Sequence, residues 1–220
     1  MNRLCAAVVV CAGAGVAVAG PDWIENGDAG EALETAQAIL GIGVPRAIVG
    51  SLDTSLGGPD QVDMYLIRIE TPMSFSFRAG NAPFDSQVFL FNITLGKEAF
   101  GLLGNNDLMS DSFEAGIAMP VANDGTGAAV LNPGEYALCI TTFDVRPVGL
   151  NGEIFDFKSR TELSGPDGPG GLNPLSGWIG SGVGGTYQID LDGVGYIDVP
   201  APAGAALLGL GLLRSARRRR

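Results

Sequence analysis

Histidine is absent from all 220 residues. That absence excludes Ser-His-Asp and Cys-His catalysis, His-ligated zinc and imidazole as a general base. Cysteine is nearly as scarce. Cys5 and Cys11 fall in the apolar first stretch, which leaves Cys139 alone in the body of the chain with no disulfide partner there. Set in a β-patterned run, Cys139 reads as a small buried apolar residue. Basic side chains are few in the body. All 24 acidic residues lie between Asp22 and Asp198, and six of the 13 basic ones are Arg3, Arg214 and Arg217–Arg220, so seven basic groups face 24 acidic ones in the middle. Such a surface repels nucleic acid and anionic lipid and attracts divalent cations, so no nucleic-acid partner is expected. Aromatics make up 7% of the chain and phenylalanine dominates them, which assigns most to core packing. Trp23 and Trp178 could stack on sugars, and Trp178, in Gly177-Trp178-Ile179-Gly180, is the candidate ligand contact.

Long apolar runs occur only at the two ends. Residues 1–19 read as a signal peptide: Arg3, an apolar stretch from Leu4 to Val18, and the small-x-small pattern Ala17-Val18-Ala19, with cleavage expected after Ala19 by signal peptidase following passage through the export translocase. The last segment, residues 199–220, is Val199-Pro200-Ala201-Pro202, then apolar Ala203 to Leu213, then an arginine-rich end. As a helix its apolar part would reach about 16 Å, against a hydrocarbon core of roughly 30 Å. It is too short for a permanent span, and its arginines suit a stop that remains in the cytoplasm. A short apolar tail after a small/proline motif fits a transient membrane anchor that is cut away.

The tripartite tail resembles the PEP-CTERM sorting signal in a Val-Pro-Ala-Pro variant, with Ala201 where the eponymous motif has glutamate. The resemblance implies recognition and removal by an exosortase-like transpeptidase, with Val199, Pro200, Ala201 and Pro202 as the processing motif. It also implies delivery to the cell surface, outer envelope or extracellular matrix.

Residues 20–198 are patterned as β-structure. Residues 46–52 read as a strand. In 62–70, Tyr65, Ile67 and Ile69 alternate with Leu66, Arg68 and Glu70, the period of a half-buried strand that Pro72 interrupts. Residues 74–78 alternate with both phenylalanines on one face, and the near-continuous apolar run 86–93 suits a central strand covered on both faces. Asn132-Pro133-Gly134 is a turn signal leading into a strand over 136–143. Residues 185–191 form a late strand, 193–199 a closing one, and 154–157 a short one. Asp28-Ala29-Gly30-Glu31 has capping-box spacing ahead of Ala32–Leu40, which predicts a short helix or turn. The Gly- and Pro-rich stretch 145–184 reads as a loop-rich insertion. Many short strands separated by turn signals predict an all-β fold, an antiparallel β-sandwich or jelly roll flanked by an N-terminal signal helix and a short C-terminal hydrophobic sorting helix.

Oxygen-rich clusters are the one chemical feature above background. Calcium takes six to eight oxygen ligands, and Asp60 and Asp63, flanking the entry to a strand, can face one ion. A second cluster, Asn105, Asn106, Asp107 and Asp111, could do the same; the alternative for both is turn-forming Asp and Asn capping their own backbones. Other matches are weak. Gly180, Gly182 and Gly185 satisfy G-x-G-x-x-G, but a strand follows instead of a helix. Asp53-Thr54-Ser55 lacks the glycine and the second copy of an aspartic-protease dyad.

The order of landmarks over roughly residues 25 to 145 resembles the bacterial pre-peptidase C-terminal domain. These are Gly27-Asp28-Ala29, Thr35-Ala36-Gln37, Asp60-Gln61-Val62-Asp63-Met64-Tyr65, Phe84 to Phe91, Asn105-Asn106-Asp107 and Leu131 to Tyr136. That resemblance implies a non-catalytic, jelly-roll-like sandwich accompanying exported proteins, and a calcium site in which Glu25 and Asp28 join Asp60 and Asp63. Three readings of function stay open: a structural or adhesive surface domain binding extracellular polysaccharide or a surface protein; a carbohydrate-binding module with an aromatic strip that includes Trp178; and a secreted hydrolase lacking histidine, with two carboxylates in a deep cleft.

Mass spectrometry of the protein recovered from its cells is expected to show a mature N-terminus at or next to Gly20 and loss of the arginine tail. The intact translation product in the soluble cytosol would contradict export.

Overall fold

The computed structural model describes residues 22–52 and 60–197. The signal and sorting segments, with Ala17, Ala19, Val199, Pro200, Ala201 and Pro202, lie outside the described residues, as does Asp53-Thr54-Ser55.

The described chain is nearly all β, with one 3-10 turn at Pro72–Ser74 and no α-helix among the described residues. A five-stranded sheet runs in the order β1 (Trp23–Ile24), β3 (Ala47–Ser51), β14 (Thr186–Asp192), β5 (Ser76–Gly80), β8 (Gly116–Ile117). A seven-stranded sheet runs β12 (Leu163–Ser164), β7 (Ala99–Asn105), β6 (Ser86–Ile93), β9 (Gly134–Thr142), β4 (Val62–Ile69). The free edge of β4 is shared by β2 (Gln37–Ala38) and β15 (Val194–Gly195). A small third sheet pairs β10 (Arg146–Gly149) with β11 (Gly152–Glu153) and β13 (Gly177–Ile179). Most pairs are antiparallel, but β1–β3 and β2–β4 are parallel, so the sheets are mixed where a purely antiparallel sandwich was expected.

One buried cluster draws on both large sheets: Ile48, Phe77, Tyr187 and Ile189 from the first, Tyr65, Ile67, Val88, Leu90, Leu138 and Ile140 from the second. This is the packing of a β-sandwich. The other face of the seven-stranded sheet is apolar too. Met64, Phe89, Phe91, Ala137 and Cys139 form a second cluster with Ile154 and Phe155. The Gly- and Pro-rich stretch 145–184 supplies that cover. Its small sheet and the buried pair Ile154–Phe155 lie over β6 and β7, where Gly101 and Gly104 leave room for the rings. The unbroken apolar character of β6 follows from this burial on both faces.

Of the short helix or turn expected over Ala32–Leu40, the turn forms. Residues 32–36 make a single turn, with Thr35 and Ala36 N–H donating to the Ala32 carbonyl, and Gln37–Ala38 then pairs with Tyr65–Leu66. Pairing with the β4 edge outweighs a weak local helix signal, because a lone short helix is marginal without a buried face. The strand expected over 154–157 is absent; the residues pack as individual side chains.

Phe155 lies 5.4 Å from the Phe89 ring and stacks on Phe157. Phe155→Ala is expected to cost about 3–5 kcal/mol in denaturant unfolding, the range for deleting a buried aromatic. A loss below about 1 kcal/mol would mean that the cover is a loosely attached loop.

Candidate metal centre

β1 ends at Ile24, and Glu25 continues its parallel pairing through an N–H donated to the Val49 carbonyl at 2.9 Å. That places the Glu25 side chain at the end of β3. Its Oε2 accepts from Ser51 N at 2.8 Å, and its Oε1 reaches back to Ala29 N at 3.0 Å. The loop then closes on itself, with Gly30 N donating to Asp28 Oδ1 at 2.5 Å. It docks on the first turn of the sheet edge through Met64 N to the Gly30 carbonyl, 3.0 Å. Asp28 is thereby set against the mouth of β4, where Asp60 and Asp63 stand.

One carboxylate oxygen each from Asp28, Asp60 and Asp63 lie within 4.8 Å of one another. Exposure falls in that order: Asp28 is exposed, Asp60 half-buried and Asp63 fully buried, so the group forms a short path from solvent to the interior. Glu25 acts on this group through its charge, which raises the Asp63 carboxyl, and its Oε2 lies beside the same Gly50 face as the Tyr187 hydroxyl. Three of the four residues singled out in the sequence thus have carboxylate oxygens grouped, across a gap of some thirty residues between loop and strand, with Glu25 beside them.

Residues not singled out complete it. Tyr187 of β14 donates its hydroxyl to Asp63 Oδ2 at 2.5 Å, and the Tyr65 hydroxyl lies 2.6 Å from that of Tyr187. Gly50, paired with Tyr187 across the sheet, leaves the space these groups occupy: a Cβ there would meet the Tyr187 hydroxyl, and Glu25 Oε2 at 2.7 Å. The signal was present in the inward register of Tyr65 and Tyr187, since a buried tyrosine hydroxyl needs a polar partner. Asp63 Oδ1, by contrast, is buried without a hydrogen-bond partner.

The electrostatics are one-sided. Burial, then the Glu25 charge, push the Asp63 carboxyl up to about 9, and the Asp60 charge adds to this. Burial also raises Glu25. Burial and the Asp63 charge raise both tyrosines, which stay neutral donors. Without a cation the buried Asp63 carboxyl, beside the Glu25 charge, keeps a proton. A hard divalent ion fits the same place better: the donors are all oxygens, the charges acting on Asp63 are negative, and one buried carboxylate oxygen is unused. Asp28, Asp60, Asp63 and Glu25 would hold calcium, which would supply positive charge and no reactive chemistry.

Trp178 stands apart from this group. Its indole N–H donates to the Glu31 carbonyl at 2.7 Å, and its ring lies 5.8 Å from Phe89 and 6.2 Å from Phe91. It also lines a cleft of about 360 Å³ with Glu31, Glu34, Glu98 and Leu175. Of the second sequence cluster, Asp107 is fully buried and Asp111 is exposed, on a separate turn. Compared with family models, curated proteins and solved structures, the chain matches none.

A pH dependence follows. In chelator, native Asp63 keeps its proton up to about pH 9, whereas the unfolded chain loses it near pH 4. Between these values the native state binds more protons, so stability is full below about pH 4 and falls as pH rises. The melting temperature in chelator is expected to drop from pH 5 to pH 8, and Asp63→Asn to flatten that slope. A melting temperature that climbs across this range would contradict the assignment.

Proposed function

We propose that the chain is an exported, non-catalytic surface or matrix protein whose body is a jelly-roll-like sandwich clamped by calcium. The carrying observation is the convergence of Asp28, Asp60 and the fully buried Asp63, with a carboxylate oxygen left unpartnered at the inner end. Asp63 has no exposed surface, so a substrate bond cannot reach it, whereas an ion held by Asp28 and Asp60 would sit within reach of its carboxylate. This favours a structural role for the carboxylates over a hydrolytic one. The absence of histidine and the acidic body support the same reading.

In this proposal the N-terminal leader and the Val199-Pro200-Ala201-Pro202 tail are sorting segments, the tail being a substrate of an exosortase-like transpeptidase after transient membrane anchoring. The sandwich then serves as a structural or adhesive module toward extracellular polysaccharide or a surface protein. A second reading, a carbohydrate-binding module, is favoured by one observation: Trp178 lines a cleft together with Glu31, Glu34 and Glu98, a pairing of aromatic surface and carboxylates that suits a sugar ring.

Calorimetric titration with calcium tests the clamp. The protein is expected to bind calcium at this site, and Asp63→Ala to lose that binding event and the accompanying rise in melting temperature. A variant that titrates like the parent would refute the site.

A further inference from the structure

The last described residue, Ile197, donates its N–H to the Ile39 carbonyl at 2.9 Å, which ties the exit of the chain to the root of the loop over residues 40–44. From Ala38 to Pro45 no side chain carries a charge or a hydrogen-bonding group. The loop is held at both ends by the buried Ile39 and Pro45. In its middle, Gly41 lies so close to the Tyr196 ring that a Cβ would meet it at 2.7 Å. Yet Ile42 is 85% and Val44 61% exposed, so a pinned loop presents apolar tips to the outside. Both line a groove of about 1110 Å³ shared with Thr71, Ser74 and Tyr196. Met73, between Thr71 and Ser74, is 89% exposed.

The strand register sets more apolar tips at this end. Ile69, the last residue of β4, pairs with Gly134, the first of β9, and Asn92 near the end of β6 pairs with Tyr136. The turns beyond these strand ends carry the exposed Leu131 and Leu95. The carboxylates of the candidate metal centre lie at the other end, where β4 begins at Val62 opposite Thr141. Asp22, the first described residue, is near the groove as well: after burial, its charge is what raises the Tyr196 hydroxyl. Both sorting segments therefore leave the body beside the same apolar end.

A cluster of exposed apolar tips on a chain this acidic marks a contact surface, and the chain's own tail says what covers it. The apolar stretch Ala203–Leu213 begins six residues past Ile197, a reach of about 20 Å even when fully extended. With that stretch in a bilayer, this end of the sandwich stands at the membrane surface. The stretch is too short for a permanent span, and short anchors hold when a second contact adds to them. We propose that the loop carrying Ile42 and Val44, with Met73, inserts into the bilayer interface beside the tail and docks the exported domain end-on until the tail is cut. This rests on the membrane-anchoring reading of the tail. Glu70 and Asp192 line the same groove, which keeps the contact shallow and favours zwitterionic over anionic lipid.

Vesicle flotation of the full chain with phosphatidylcholine tests this, with near-ultraviolet circular dichroism as the check on folding. Ile42→Trp is expected to add emission that brominated phosphatidylcholine quenches, and Ile42→Asp to weaken partition by at least about tenfold. Val183 is the exposed control. It follows Gly182, which packs on Thr142 at the far end of β9, roughly 26 Å away at 3.3 Å per residue. Val183→Trp is expected to stay unquenched and Val183→Asp to partition like the parent. A vesicle-bound chain whose Ile42→Trp emission is not quenched overturns the docking and leaves the anchoring tail intact. Quenching that persists when Leu208→Arg and Leu210→Arg leave partition unchanged supports the docking and overturns the anchoring role of the tail. A parent that does not float overturns both. If Ile42→Asp partitions like the parent but blocks tail removal in cells, the surface docks on the processing protein and the membrane assignment is wrong.

Discussion

A carboxyl group with no exposed surface sits where the two large sheets and the N-terminal loop meet, and the surrounding chain is arranged to compensate it. Burying a charged carboxylate unpaired costs several kcal/mol, and Asp63 has negative neighbours instead of a basic partner. One oxygen is held by Tyr187 from the opposite sheet, which Tyr65 supports from beside it. Glu25 approaches from the N-terminal side and is itself fixed by Ser51 and Ala29. Gly50 is small because this assembly fills its side of the strand. A proton or a cation must complete it, so the junction of three chain segments depends on what occupies the space between carboxylates.

The same economy explains the layers. The central strands β6 and β9 bury side chains on both faces, which a two-sheet sandwich alone would leave half exposed. The long stretch 145–184 closes the second face through Ile154, Phe155 and Trp178, and it brings Arg160 over the end of β7. Polar groups trapped at the seams of these layers gather at one end of the sheet: Asp63 inside the sandwich, Gln87 and Asp107 beneath the cover.

The alternating strands were legible because side-chain period reports burial directly. Residues 62–69, 86–93, 134–142 and 186–192 form strands close to where alternation and the Asn132-Pro133-Gly134 turn place them. β7 escaped because Ala99–Asn105 is interrupted by two glycines that exist to receive Ile154 and Phe155 from far along the chain. The cover has the pattern of a loop for the same reason: its glycines and prolines make close approaches possible and carry no period. The Asp60–Asp63 pair could be seen locally, but its hydroxyl partner lies 124 residues away in sequence, and no local pattern reports such a contact. After Asp28 the capping-box spacing yields a turn and no helix, because strand pairing at the β4 edge, a tertiary effect, decides the conformation of Gln37–Ala38.

Anomalous diffraction from crystals grown with calcium and measured at a long wavelength tests the central claim most directly. The account places a peak among the carboxylates of Asp28, Asp60 and Asp63, at about 2.3–2.6 Å from their oxygens, with Tyr187 still donating to Asp63. A well-ordered site without a peak, its buried carboxyl simply protonated, would contradict it.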